Sequence, residues 1–202
     1  MGLFDFFRRK PAIRDVAELA DFIDQRAAFL VQKGMYDYAR ARSGPHAKWL
    51  LGEAEFQERI DKSRWRAYPM GLAMVGEMVD GMLYPFADGD RRGLLERLSA
   101  VVMDVFDRYP APADLGPQKW QEARERLRQR LSQIGTHPPK RVIDIPEQYV
   151  ATYFGLMPFD KDFLTNDMPT TLAYLKLTLT SMRDDLAERM DPQAIANELR
   201  AG

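Results

Sequence analysis

The sequence predicts an all-α fold, a single globular bundle of about seven to nine helices around a central apolar helix near residues 69–84. Three observations predict it. Apolar residues recur at three- and four-residue spacings along most of the 202-residue chain, and prolines and glycines punctuate the runs. Residues 142–146 alone resemble a strand, and they are too few to found a sheet. With 46% hydrophobic residues the chain can bury a sizeable core, which excludes intrinsic disorder.

Taken in order, residues 13–33 place Val16, Leu19, Ile23, Ala27, Leu30 and Val31 on one stripe. Asp15 is the cap, Glu18, Asp21 and Asp24 suit the positive end of the helix dipole, and Gly34 closes the helix. A continuation stops at Ser43-Gly44-Pro45, and Pro45 opens a short element with Trp49 and Leu50. Residues 53–65 form another short helix, carrying Phe56 and Ile60. Pro69 then takes the first position of the central helix, which is apolar nearly all round and interrupted as charge only by Glu77 and Asp80. At about sixteen residues it rises ~24 Å, short of the ~30 Å hydrocarbon core of a membrane. Gly71, Gly76 and Gly81 each weaken it by roughly 1 kcal/mol relative to alanine, so close approach of neighbouring helices is their expected use.

After the turn Asp88-Gly89-Asp90, residues 91–109 form an amphipathic helix. The proline-rich stretch 110–117 is a connection within one domain spanning 11–202. Residues 118–134 follow, with Trp120, Ala123, Leu127, Leu131 and Ile134 on one face and four arginines on the others. Thr136 to Arg141 holds two consecutive prolines and is not helical. Helices at 146–157 and 169–190 and a short terminal one after Asp191-Pro192 complete the chain.

Composition narrows function by exclusion. Without cysteine there is no disulfide framework, no thiolate nucleophile and no Cys-ligated metal, and a reducing, cytoplasmic location is the expectation. The net charge of −1 offers no bulk attraction to nucleic acid, so none is expected as a partner. That neutrality is a sum of opposed blocks. Residues 119–141 hold 7 basic and 2 acidic side chains, whereas 67–118 hold 4 and 8 and 142–202 hold 5 and 10. The basic block either pairs with acidic neighbours inside the bundle or forms a docking face for an anion.

Two features carry the candidate sites. In residues 1–10 the apolar Leu3, Phe4, Phe6 and Phe7 stand directly before Arg8, Arg9 and Lys10, the composition of an interfacial membrane anchor. Apolar burial at ~1.5–3 kcal/mol per side chain and ~1 kcal/mol per base are offset by ~10 kcal/mol or more of ordering entropy, so attachment would be weak and reversible. Docking of the same residues on the domain's own core, or on a partner protein, fits the composition too. Secondly, Arg64, Trp65, Arg66 and Tyr68, together with Glu77, Asp80, His137, Lys140 and Arg141, combine charge and aromatic surface suited to a pocket or partner site. Glu77 and Asp80 stand three apart on the central helix, and they are expected either to pair with arginines such as Arg64 or Arg66 or to line a groove. No histidine follows at di-iron spacing, so no metal or other cofactor is expected. No G-x-S-x-G elbow, Walker loop or G-x-G-x-x-G occurs, and no catalytic residue is assigned.

The opening Met1 to Pro11 with Ile13-Arg14-Asp15, and the segment His137 to Arg141 followed by Ile145-Pro146-Glu147, resemble a small family of poorly characterised all-helical bacterial proteins loosely labelled "esterase". The resemblance implies ester or lipid hydrolysis as one activity, at a site other than a serine elbow. The residues themselves favour a non-catalytic binding or assembly protein, held peripherally at a membrane or membrane-bound complex and binding another protein. A carrier of a small apolar ligand, with methionines of the central helix as an adaptable wall, is the further alternative.

Overall fold

A computed structural model describes residues 11–159 and 167–201. The described residues form eight α-helices: α1 (Val16–Ser43), α2 (Ala47–Leu50), α3 (Ala54–Leu83), α4 (Arg91–Asp107), α5 (Gly116–Ile134), α6 (Val150–Phe154), α7 (Met168–Arg189) and α8 (Pro192–Ala201). Short 3-10 turns at Gly44–His46, Tyr84–Phe86 and Val142–Gln148 link them. The fold is therefore all-α, as the periodicity predicts.

The molecule is organised on α3, whose second half is buried at every residue from Gly71 to Asp80. Helix α1 lies along it, and α4, α5, α7 and the 142–148 turn cover its other sides. Asp15 caps α1 by accepting from the Glu18 backbone N–H at 2.7 Å, as the sequence predicts. Asp90 and Asp191 do the same for α4 and α8, at 2.9 Å to Gly93 N and 3.0 Å to Ala194 N.

Four features differ from the sequence expectation, the first two because tertiary packing overrides a local breaker. Gly34 does not close α1, which runs on to Ser43. It is a contact point: a Cβ there would stand 2.3 Å from Tyr153 Oη and 2.6 Å from Tyr174 Cε1. Both tyrosines reach over it to donate to α1 carbonyls, Tyr153 to Val31 at 2.8 Å and Tyr174 to Leu30 at 3.2 Å. Pro69 does not open a helix either. It sits inside α3, which joins the two expected helices 53–65 and 69–84 into one of 30 residues. A proline there costs about 3 kcal/mol of helix propensity, which burial of the flanking Ala67, Tyr68 and Leu72 offsets. Residues 142–148 are a 3-10 turn packed on α7, not a strand. The expected helix 146–157 shortens to Val150–Phe154.

Of the glycines on α3, Gly71 performs the close approach expected of it, since an added Cβ would lie 2.7 Å from the Ala27 carbonyl of α1. Gly81 does not, for its surroundings begin at 3.9 Å. The segment entering α1 is clamped to the α7–α8 junction. Ile13 N donates to Arg189 O at 2.9 Å, Asp191 N to Ile13 O at 3.3 Å, and Val16 N to Glu198 Oε2 at 3.1 Å.

Candidate functional site: a groove between α3 and α5

Helix α5 buries Trp120, Leu127, Leu131 and Ile134. The stripe beside that face, Lys119, Ala123, Arg126 and Arg130, follows the i, i+4, i+7, i+11 spacing of one helix side. It forms one wall of a groove of about 590 Å³. The floor is α3, through Trp65, Pro69, Met70 and Ala73, and the opposite wall is Gln148, Tyr149, Thr152 and Leu156. From Lys119 to Arg130 the helical wall rises ~16 Å, so the groove is elongated. Its volume falls in the ~300–1,000 Å³ range of small-molecule sites. Apolar atoms make the floor and cations the rim, where Arg66, Lys119, Arg126 and Arg130 face a single lining carboxylate, Glu122.

One end of the groove is aromatic. Trp65 meets Tyr68, Tyr109 and Trp120 edge-on, with centroids 5.8, 5.3 and 6.1 Å apart, and Trp120 stacks on Phe106 at 4.3 Å. Below it Asp24 accepts from the Tyr68 and Tyr109 hydroxyls at 2.7 and 2.9 Å. Burial, and then the Asp24 carboxylate, push the Tyr68 hydroxyl well above its ordinary pKa.

Behind the Gln148–Tyr149 wall lies an ionic cluster that does not itself line the groove. Glu77, only 3% exposed, lies 3.1 Å from Lys140 Nζ and accepts from Gln148 Nε2 at 2.9 Å. One turn on, Asp80 is held by Arg91 at 3.0 Å, while the other Arg91 amino group donates to the His137 carbonyl at 2.5 Å. Burial raises the Asp80 pKa against the opposing pull of Arg91 and His137. Tyr149 connects this cluster to the groove. Its hydroxyl accepts from Arg130 Nε at 2.9 Å and faces the Glu77 carboxylate. Burial pushes that hydroxyl up to about 12, with Arg130 opposing and Glu77 assisting.

The structure thus brings several sequence candidates together and separates others. Trp65 and Arg66 line the groove, and Tyr68 lies behind its aromatic end. Glu77, Asp80, His137 and Lys140 form the ionic cluster. The expected pairing of Glu77 and Asp80 with Arg64 or Arg66 does not occur, because those arginines emerge elsewhere on α3. Arg66 pairs with Asp114 at 3.0 Å, and Arg64 sits 3.4 Å from Asp61 with its guanidinium 5.1 Å from the Trp65 ring centroid. Arg141 is exposed and pairs with its neighbour Asp144 at 2.7 Å. Leu3, Phe4, Phe6, Phe7, Arg8, Arg9 and Lys10 lie outside the described residues. Sequence reasoning missed Arg130, Tyr149 and Gln148. The stripe of cations one position off the apolar face of α5 was the available signal for Arg130.

Among the described residues no three His, Asp or Glu side chains gather as a metal-binding group, and no helix is long and apolar enough to cross a membrane. His137 Nδ1 lies 2.8 Å from the Pro138 carbonyl, and among the described residues neither histidine is hydrogen-bonded to a serine or threonine hydroxyl. No family model, curated protein or solved structure matches the chain.

Proposed function

We propose that the chain is a non-catalytic binding protein that receives the apolar part of a ligand in the α3–α5 groove and associates peripherally with a membrane or membrane-bound complex through residues 1–10. The observation that carries the binding reading is the groove itself: an elongated cavity of about 590 Å³ with an apolar floor and a charged rim. Apolar surface removed from water contributes ~25 cal/mol per Å², so a ligand covering the half-buried Trp65, Met70 and Ala123 gains without any bond to the protein. The membrane part rests on the aromatic and basic composition of the N-terminal segment.

Ala123 offers the test, because it is half-buried on the groove wall and its side chain contributes little to the core. Tryptophan fluorescence, reporting Trp65 and Trp120, follows titration of the full chain with dodecanol below its critical micelle concentration. Saturable binding to the wild type and at least ten-fold weaker binding to a folded Ala123→Phe variant is the expected result. Equal binding to both proteins, or none to either, contradicts the groove as the site.

A further inference from the structure

The groove's cations are not equivalent, and the difference identifies the chemistry of the ligand. Arg66 is paired with Asp114, and Arg126 approaches Glu122 at 3.7 Å. Of the next arginines on α5, Arg124 is held bidentately by Asp107 at 2.8 and 2.6 Å, and Arg128 by Glu125 at 2.9 and 2.7 Å. Lys119 is exposed on the rim, where water and salt screen it. Arg130 alone of the lining cations is half-buried and has no carboxylate partner among the described residues.

Arg130 is nevertheless held in place. Its Nε donates to Tyr149 Oη at 2.9 Å, its Nη1 to Gln133 Oε1 at 3.2 Å, and its guanidinium stands 4.9 Å from the Tyr149 ring centroid. Tyr149 lies near the buried Glu77, which accepts from Gln148 Nε2 at 2.9 Å and stands 3.1 Å from Lys140 Nζ. One edge of the guanidinium, Nη2, makes no hydrogen bond among the described residues. A fixed, partly desolvated guanidinium with a free edge is suited to an anionic oxygen, because reduced solvent access strengthens the attraction and prior fixing lowers the entropy cost.

We infer that the groove takes a long-chain amphiphile bearing one negative charge, its chain lying along α3 and α5 and its anionic end on Arg130. The inference rests on the groove being the binding site. The elongated apolar floor suits an acyl chain, and the excess of cations over Glu122 disfavours a cationic head group. Tyr149 acts as a positioning residue, since it orients the guanidinium through its hydroxyl.

Three amphiphiles of equal chain length separate the outcomes: dodecanoate, dodecanol and dodecyltrimethylammonium, each below its critical micelle concentration, titrated against the full chain at neutral pH and followed by tryptophan fluorescence. Dodecanoate is expected to bind at least about ten-fold more tightly than dodecanol, equivalent to ~1.4 kcal/mol, and the ammonium compound most weakly. Arg130→Gln removes that preference and leaves dodecanol binding unchanged. Tyr149→Phe, which keeps the ring, reduces it, and Lys119→Gln has little effect. Equal affinity for dodecanoate and dodecanol in the wild type overturns the inference while leaving the groove intact, as does an anion preference that survives Arg130→Gln. Absence of binding by all three compounds overturns the groove reading itself.

Discussion

Glu77 shows how much one buried side chain organises. A carboxylate at 3% exposure costs several kcal/mol to desolvate, and Lys140 and Gln148 offset that cost. Truncation in Glu77→Ala leaves the Gln148 amide N–H without its acceptor and removes the charge opposite Lys140, which still donates to Gln148 Oε1 at 2.9 Å. Lys140 is partly exposed and can turn to water, so a loss of about 2 kcal/mol in urea unfolding is expected, below the ~3–5 kcal/mol of a fully buried pair. A change within a few tenths of a kcal/mol would show that the pair is idle. Asp80 gives a pH dependence of defined sign. Its native pKa is raised above the ordinary 3.8, so the native state holds the proton at higher pH than the unfolded chain does. Wild type should gain stability relative to Asp80→Asn as pH falls through the raised native value towards 3.8, and lose that advantage as pH rises again. A difference that stays flat over this range would contradict the assignment. Both carboxylates stand out in the sequence because they interrupt an apolar helix. Their partners do not, for Lys140 and Arg91 reach them only through the packing of the 142–148 turn and α4 around α3.

At the level of elements, the chain overrides its own punctuation wherever packing is strong. Asp15, Asp90 and Asp191 act as local rules dictate, and α4, α5 and α7 begin and end within a few residues of the apolar periodicity. Gly34 and Pro69 are breakers by composition, yet both lie inside long helices, because the two tyrosines over Gly34 and the core around Pro69 outweigh a propensity deficit of ~1–3 kcal/mol. Glycines on one helix should therefore respond oppositely to alanine. Gly71→Ala places a methyl 2.7 Å from the Ala27 carbonyl and should cost about 1–3 kcal/mol by forcing α1 and α3 apart. At Gly81 the nearest atoms are 3.9 Å away, so alanine should fit and stabilise by roughly 0.4–1 kcal/mol. Thermal unfolding of the two variants checks the pair, and equal shifts would contradict the close approach at Gly71. The groove was less legible than the helices. Its walls come from α3, α5 and residues 148–156, segments whose meeting no local spacing encodes.

For the whole molecule, the opposed charge blocks resolve into pairing with a remainder. Arg124 of the basic block pairs with Asp107 of the preceding acidic one, and Lys140 with Glu77. What is left over, Lys119 and Arg130, lies along the groove. Ile13, close to the start of the described residues, is bonded to the α7–α8 junction, whose residues are not among those lining the groove. Membrane association and ligand binding should then separate. Deleting residues 2–10 is expected to abolish co-sedimentation with anionic liposomes while leaving dodecanoate affinity unchanged. Unaltered partitioning would remove the anchor from the proposal, and lost dodecanoate binding would show that the two are coupled.

The groove as the ligand site is tested most directly by the indole N–H resonances of Trp49, Trp65 and Trp120 during titration with dodecanoate. Trp65 lines the groove, Trp120 packs behind it, and Trp49 is 66% exposed on α2 away from it. The expected result is a saturable shift of the Trp65 signal, a smaller one for Trp120 and none for Trp49, all lost in Ala123→Phe. A shift confined to Trp49, or equal shifts in the variant, would place the ligand elsewhere and contradict the assignment.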